Sequence, residues 1–220
     1  MEDCVNRIEI CPSILSADFL NLGRDLKELE NAGVRILHFD VMDGHFVKNI
    51  SFGSYVLENI SENSNFLLDV HLMVERPLSF VEEFSKKGAY GLTFHIESLD
   101  DPNRCIEKIK EFNLECGLAI SPETEIEKVF PFLDLIDLLL IMTVRPGFSG
   151  QRFMKDMLEK VRKVRCLNSD LKIEVDGGID EKNIKKVFDV GADWFVVGSY
   201  IFRSKEILKS LEVLKLALYS

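Results

Sequence analysis

No apolar stretch in this sequence is long enough to span a bilayer, and Met1-Glu2-Asp3-Cys4-Val5-Asn6-Arg7 contains no apolar signal core. Neither a membrane-spanning nor an exported protein is expected. The five cysteines, Cys4, Cys11, Cys105, Cys116 and Cys166, are odd in number and include no Cys-x-x-Cys pair. That spacing argues against a zinc ribbon or a disulfide framework and suits a reducing cytosol. The expectation is a soluble, cytoplasmic protein. Positive charge is also scarce: 27 Lys and Arg against 37 Asp and Glu leave a formal net charge of -10. A general nucleic-acid binder needs a basic face, and nothing here attracts anionic lipid. An anionic substrate would meet a repulsive global field and would need a local site built from backbone amides. The dinucleotide fingerprint Gly-x-Gly-x-x-Gly after the first strand is also absent, which disfavours a doubly wound open sheet.

What remains is a globular composition, 46% hydrophobic over 220 residues, read as one domain spanning 1–220. Eight short apolar runs stand out, at 8–15, 34–41, 66–74, 91–96, 116–120, 138–144, 171–175 and 194–197. Helical patterns follow most of them. Leu22, Leu26 and Leu29 mark one face, and further helices are expected over 55–60, after Pro77, and over 102–112, 126–133 and 181–190. Met154, Met157, Leu158, Val161 and Val164 keep the same spacing, as do Ile207, Leu211, Leu214 and Leu218. Continuous apolar strands alternating with helices predict an α/β fold, a single (β/α)8 TIM barrel.

In such a barrel the working face is the carboxyl end of the strands. His38, Asp40 and Met42 are two apart at the end of the second run, so they share a face. Asp69, His71 and Met73 repeat the arrangement, and Glu174 and Asp176 end the seventh run before Gly177-Gly178. His38, Asp40, His71 and Asp176 together offer two imidazoles and two carboxylates to one divalent metal; zinc, manganese and iron(II) all fit that set. Asp69 and Glu174, one layer deeper, read as supporting or core polar groups. His95 ends the fourth strand with Glu97 nearby, where a supporting role is plausible; His45 reads as a solvated loop residue.

A second feature is glycine. Gly147-Phe148-Ser149-Gly150, Gly177-Gly178 and Gly198-Ser199 follow strands six, seven and eight, and the loops after strands seven and eight are the usual phosphate site of this fold. Their backbone amides, with a short helix beginning after Gly198-Ser199, would cradle a dianion without any lysine. Met42, Met73 and Met142 would form an apolar collar over the metal, excluding water and raising the pKa of a nearby carboxylic acid.

Several motifs in order carry a resemblance that runs from about Ile10 to Phe202: Pro12-Ser13-Ile14-Leu15-Ser16-Ala17-Asp18-Phe19, the stretch from His38 to Gly44, Asp69-Val70-His71-Leu72-Met73-Val74, Pro146-Gly147-Phe148-Ser149-Gly150-Gln151, Val175-Asp176-Gly177-Gly178-Ile179 and Gly198-Ser199. The sequence resembles the ribulose-phosphate 3-epimerase family. The resemblance implies interconversion of D-ribulose 5-phosphate and D-xylulose 5-phosphate, in the pentose phosphate pathway, through a metal-stabilised 2,3-enediolate. It implies that His38, Asp40, His71 and Asp176 are metal ligands, with Asp40 and Asp176 the acid/base pair and Ser13 a substrate contact. Phosphate contacts are implied at Gly147, Phe148, Ser149, Gly150, Gly177, Gly178, Gly198 and Ser199. One metal per subunit is implied, zinc first, with iron(II), manganese or cobalt as alternatives, and a homo-oligomer, a dimer or hexamer.

The chain departs from the family pattern at Arg145, usually Glu, at Ser149, usually Gly, and at Lys48, usually Pro. Ser121-Pro122-Glu123-Thr124 replaces a more typical Asn-Pro-Gly-Thr. None of these touches the four ligands. Other readings are weaker. A decarboxylase of the Asp-x-Lys-x-x-Asp type would need lysine where Met42 stands, and a Schiff-base aldolase needs a lysine at a strand's carboxyl end. A metal-dependent hydrolase needs an exposed metal-bound water, which the methionine collar would crowd. An epimerase for another ketose phosphate would use the same residues.

Overall fold

The computed structural model describes residues 8–204 and 206–220. Cys4 and the 1–7 segment lie outside them. Eight parallel strands form one sheet: β1 Glu9–Pro12, β2 Ile36–Met42, β3 Leu67–Met73, β4 Ala89–His95, β5 Glu115–Ile120, β6 Leu138–Met142, β7 Lys172–Asp176 and β8 Trp194–Val197. Their order, β1-β8-β7-β6-β5-β4-β3-β2, is sequential around a ring, and a parallel bridge between Ser13 and His38 joins its two ends. The expected TIM barrel is therefore what the chain forms.

Alternation along each strand divides two cores. Leu37, Phe39 and Val41 of β2, Leu68, Val70 and Leu72 of β3, and Ile173 and Val175 of β7 point outward into the layer between sheet and helices. Their neighbours point into the barrel, where Cys11, Ile36, Ala119, Leu138, Leu140, Met142, Val144, Trp194 and Val196 pack together. His38, Asp40, Asp69, His71 and Glu174 are inward too, and all are buried.

The helices are α1 Leu22–Asn31, α2 Ser54–Asn63, α3 Leu78–Lys86, α4 Pro102–Glu111, α5 Leu158–Leu167, α6 Ile184–Asp189, α7 Ser199–Phe202 and α8 Ile207–Leu218. Three expectations need correction. Met154 and Met157 precede the helix that Leu158 opens, and Lys155–Met157 is a 3-10 turn. The 126–133 segment is a 3-10 helix, Ile126–Phe132. Pro131 lies inside it and would clash with the carbonyl four residues back in an α-helix. The 181–190 helix begins only at Ile184, because the Asp180 carboxylate accepts the backbone N–H of Lys182 at 2.9 Å and of Asn183 at 3.1 Å and so holds the preceding residues in a turn. Cys11, Cys105 and Cys116 are buried thiols, Cys166 is an exposed one, and none of the four is in a disulfide.

Candidate metal and active site

The carboxyl ends of β2, β3 and β7 bring His38, Asp40, His71 and Asp176 together. One ligand atom from each lies within 4.8 Å of the others. His38 Nε2 is 3.4 Å from both Asp40 Oδ1 and His71 Nδ1, and His71 Nδ1 is 3.2 Å from Asp40 Oδ1. Ligands held about 2.1 Å from a tetrahedral cation sit about 3.4 Å from one another, so the spacing matches. The donor chemistry matches as well. His38 Nδ1 faces Asp69 Oδ2 at 2.8 Å, so it carries a hydrogen there and leaves Nε2 to point into the cluster. Nitrogen lone pairs and carboxylates that converge this closely call for a positive charge between them.

Burial sets the charges. Burial pushes up the Asp176 carboxyl, and the Asp40 charge adds to it, bringing its pKa to about 7. Burial acts the same way on Asp40, but the charge and hydrogen bonding of His38 and His71 outweigh it and hold Asp40 well below the carboxylate range. Burial would depress His38, yet Asp40, Glu174 and Asp69 raise it well above an ordinary imidazole. His71 stays depressed, at about 4, mainly by burial. It is therefore neutral near pH 7 and keeps a lone pair to give. One layer below, burial and the Asp69 charge push Glu174 to about 8. Its oxygens are buried and make no hydrogen bond among the described residues; His38 Nδ1, at 3.4 Å, is too long for a strong one. A protonated, neutral carboxyl is the form such a place tolerates.

A cavity opens above the cluster. Ser13, Asp40, Met42, Met73, Met142, Gly147, Phe148, Ser149, Gly150, Asp176, Gly177, Gly178, Gly198 and Ser199 line it, together with Leu15, Ser16, Ile179 and Val196. Of the residues expected as metal ligands or substrate contacts, only His38 and His71 do not reach its surface; both are fully buried. Met42, Met73 and Met142 are buried at its base. Phe148, Ser149 and Gly150 are exposed at its rim. The Ser13 hydroxyl donates to Asp40 Oδ2 at 2.7 Å, so it holds the carboxylate as well as facing the cavity. Gly177 has φ +122, and a side chain there would collide with Val144. Only glycine lets the β7 turn come so close to β6.

Two features of the site went unread in the sequence. Ser16 Oγ is buried without a hydrogen-bond partner among the described residues, beside Gly198 and against the cavity. The clue was its spacing: Ser13 and Ser16 are three apart across a 3-10 turn, Ile14–Ser16, where such residues eclipse. The other is Thr143, whose buried hydroxyl donates to the carbonyls of Asp176 at 2.9 Å and Gly177 at 2.6 Å and so fixes the end of β7. A lone threonine at a strand end gives no warning of this. The loop from 43 to 53 reaches the loop after β6: Asn49 Nδ2 donates to the Gly147 carbonyl at 2.7 Å.

The model of the Ribulose-phosphate 3 epimerase family matches residues 9–202. The chain belongs to the ribulose-phosphate 3-epimerase family. Ribulose-phosphate 3-epimerase of Chlamydia muridarum is 40% identical over 213 residues, covering 94% of this chain and 93% of that one. The cytoplasmic isoform of ribulose-phosphate 3-epimerase from Oryza sativa subsp. japonica is 43% identical over 202 residues, covering 90% and 89%. In fold the chain is similar to 3-hexulose-6-phosphate synthase from Salmonella typhimurium, at a TM-score of 0.75, 16% identity and coverage of 96% and 99%. Membership of the epimerase family makes the chain an enzyme, an isomerase. Among its described residues, no helix is long and apolar enough to cross a membrane.

Two departures from the epimerase family's usual residues meet in space. Arg145 Nε lies 2.6 Å from Glu123 Oε1, both exposed beyond the mouth. The charge that Arg145 brings is met by the acid that replaces glycine, and a pair so exposed adds little stability.

Proposed function

We propose that this enzyme interconverts D-ribulose 5-phosphate and D-xylulose 5-phosphate by moving the proton on C3, with one divalent cation held by His38, Asp40, His71 and Asp176. The observation that carries the proposal is the convergence of two carboxyl groups in a single cluster under one cavity, one held well below the carboxylate range by its partners and the other pushed up to about 7. Epimerisation next to a carbonyl needs that pair: a base takes the proton from one face of the sugar and an acid returns one to the other.

Asp40 starts as the base in one direction. Ser13 orients it, and it has no bound proton to lose first. Asp176 holds the proton to be delivered, and the two exchange roles in reverse. A bound divalent cation would supply Lewis acidity, lowering the cost of negative charge on O2 and O3 of the 2,3-enediolate. Zinc is the first choice for two nitrogens and two carboxylates; iron(II), manganese and cobalt remain alternatives. The methionine collar keeps water from the planar intermediate, and the link from Asn49 to Gly147 closes the rim over it. Backbone amides of 147–150, 177–178 and 198–199 would receive the phosphate.

The test is solvent exchange. Incubated with ribulose 5-phosphate in deuterium oxide, the enzyme incorporates deuterium at C3, and chelation abolishes the uptake. Release of inorganic phosphate in place of exchange would replace the reading with a hydrolase, and neither process would leave only a silent sugar-phosphate binder. A cytoplasmic location in the pentose phosphate pathway belongs to the same reading. So does self-association as a dimer or hexamer; Leu208, Leu216 and Tyr219 stand exposed at the last helix, and sedimentation measures it.

A further inference from the structure

The end of β4 carries a buried histidine, followed by a half-buried glutamate, that the reaction itself does not use. His95 is fully buried, and its Nε2 lies 2.9 Å from His71 Nε2, the nitrogen of His71 that faces away from the cluster. The two rings are inclined by 27°, with centroids 5.0 Å apart. That spacing exceeds the nitrogen spacing by about 2 Å, so the rings meet edge to edge, as a nitrogen–hydrogen–nitrogen bond requires. On its other side, His95 Nδ1 is 3.0 Å from Glu97 Oε2. Glu97 is fixed in turn: its Oε1 accepts the backbone N–H of Ser121 at 2.9 Å. Despite burial, the His95 contact and the bonds from Thr124 and Ser121 bring Glu97 to about 2, so it is an acceptor only. Phe46 packs on the His95 ring at 4.8 Å and seals the pair from above.

Hydrogen placement follows link by link. An ionised Glu97 can only accept, so His95 carries its hydrogen on Nδ1. Only one hydrogen fits between two nitrogens 2.9 Å apart, and with the His95 hydrogen turned toward Glu97 it is His71 that supplies it, from its own Nε2. That leaves the His71 lone pair on Nδ1, the atom that lies 3.2 Å from Asp40 Oδ1.

We infer that Glu97 and His95 are positioning residues for His71, locking it in the tautomer whose Nδ1 is free to hold a cation. The inference rests on the proposed metal site. It makes the site four ligands plus a polar chain that runs through β4 to the loop after β5, and it gives the otherwise unused Phe94-His95-Ile96-Glu97 segment a task. His38 has the matching arrangement through Asp69.

The experiment compares zinc affinity of the chelated full-length protein, by competition with a chromophoric chelator, for wild type, His95→Leu and His95→Gln. Removing an outer partner of a ligating histidine costs about 10- to 100-fold in affinity, and His95→Leu falls by that factor. His95→Gln keeps an acceptor oxygen near the place of Nε2 and recovers most of it. The nitrogen-15 spectrum of the zinc-loaded wild type shows His71 with hydrogen on Nε2 and metal on Nδ1, which needs no variant to fold. Equal affinities for wild type and His95→Leu, or a His71 ligated through Nε2, overturn the inference alone. Failure of the wild type to bind zinc at all overturns the metal reading and this inference with it.

Discussion

Asp40 and Asp176 bring carboxylate oxygens within 4.8 Å of each other, yet one is held well below the carboxylate range and the other is pushed up to about 7. Two acids this close cannot both ionise cheaply without a cation between them. The asymmetry follows from partners. Asp40 has Ser13, His38 and His71 around it; Asp176 has burial and the charge of Asp40 against it.

Asp176→Asn should therefore stop epimerisation while leaving the fold intact. Removing one general acid/base group costs about 10²- to 10⁴-fold in rate; here the loss is at the upper end, because the side chain also belongs to the cluster. Turnover by coupled assay, with circular dichroism to check folding, reads both. Near-normal turnover would end the two-carboxylate mechanism.

Zinc binding should release at least one proton at pH 7 and below. Burial would depress His38, but Asp40, Glu174 and Asp69 raise it well above an ordinary imidazole without a cation, and it must give up the Nε2 hydrogen to serve as a ligand. Apparent affinity then falls about tenfold for each pH unit on the acid side. Calorimetric titrations in buffers of different ionisation enthalpy count the protons. A heat that does not change with buffer would contradict the charge assignment.

Glu174→Gln should stabilise the metal-free protein, and more so as pH rises. The ordinary value for this carboxyl is 4.5, and the folded value is about 8. Below 4.5 both folded and unfolded chains hold the proton, and burial has no linked cost. Between 4.5 and about 8 the unfolded chain loses its proton while the folded one keeps it, so wild-type stability falls across that window and levels off above it. The neutral amide escapes the fall. Denaturant melts of both proteins at pH 5, 6.5 and 8 should diverge upward; parallel curves would show that Glu174 does not titrate this way.

The barrel was legible because eight continuous apolar runs alternate with helical patterns, and the two-residue alternation within β2, β3 and β7 set His38, Asp40, His71 and Asp176 on one face. The 3-10 helix Ile126–Phe132 was harder. Ile126 and Val129 are three apart, a spacing that an α-helix and a 3-10 helix both accept, and only Pro131 separates them. The contact of His95 with His71 depends on how β3 and β4 are offset, and their register slips between Leu68 and Asp69. No single strand's pattern carries an offset between two strands. The pairing of Arg145 with Glu123 was hidden for the same reason: each is an isolated departure until the loops after β5 and β6 are set side by side.

The ring of strands shuts where Ser13 meets His38, and the same stretch supplies His38, Asp40 and the hydroxyl that holds Asp40. The seam and the chemistry thus share one address. A chain whose first strand had not docked would lack that hydroxyl's grip on Asp40, so activity should require the seam to be shut. Catalysis in this enzyme is then a gauge of whether its circle is complete.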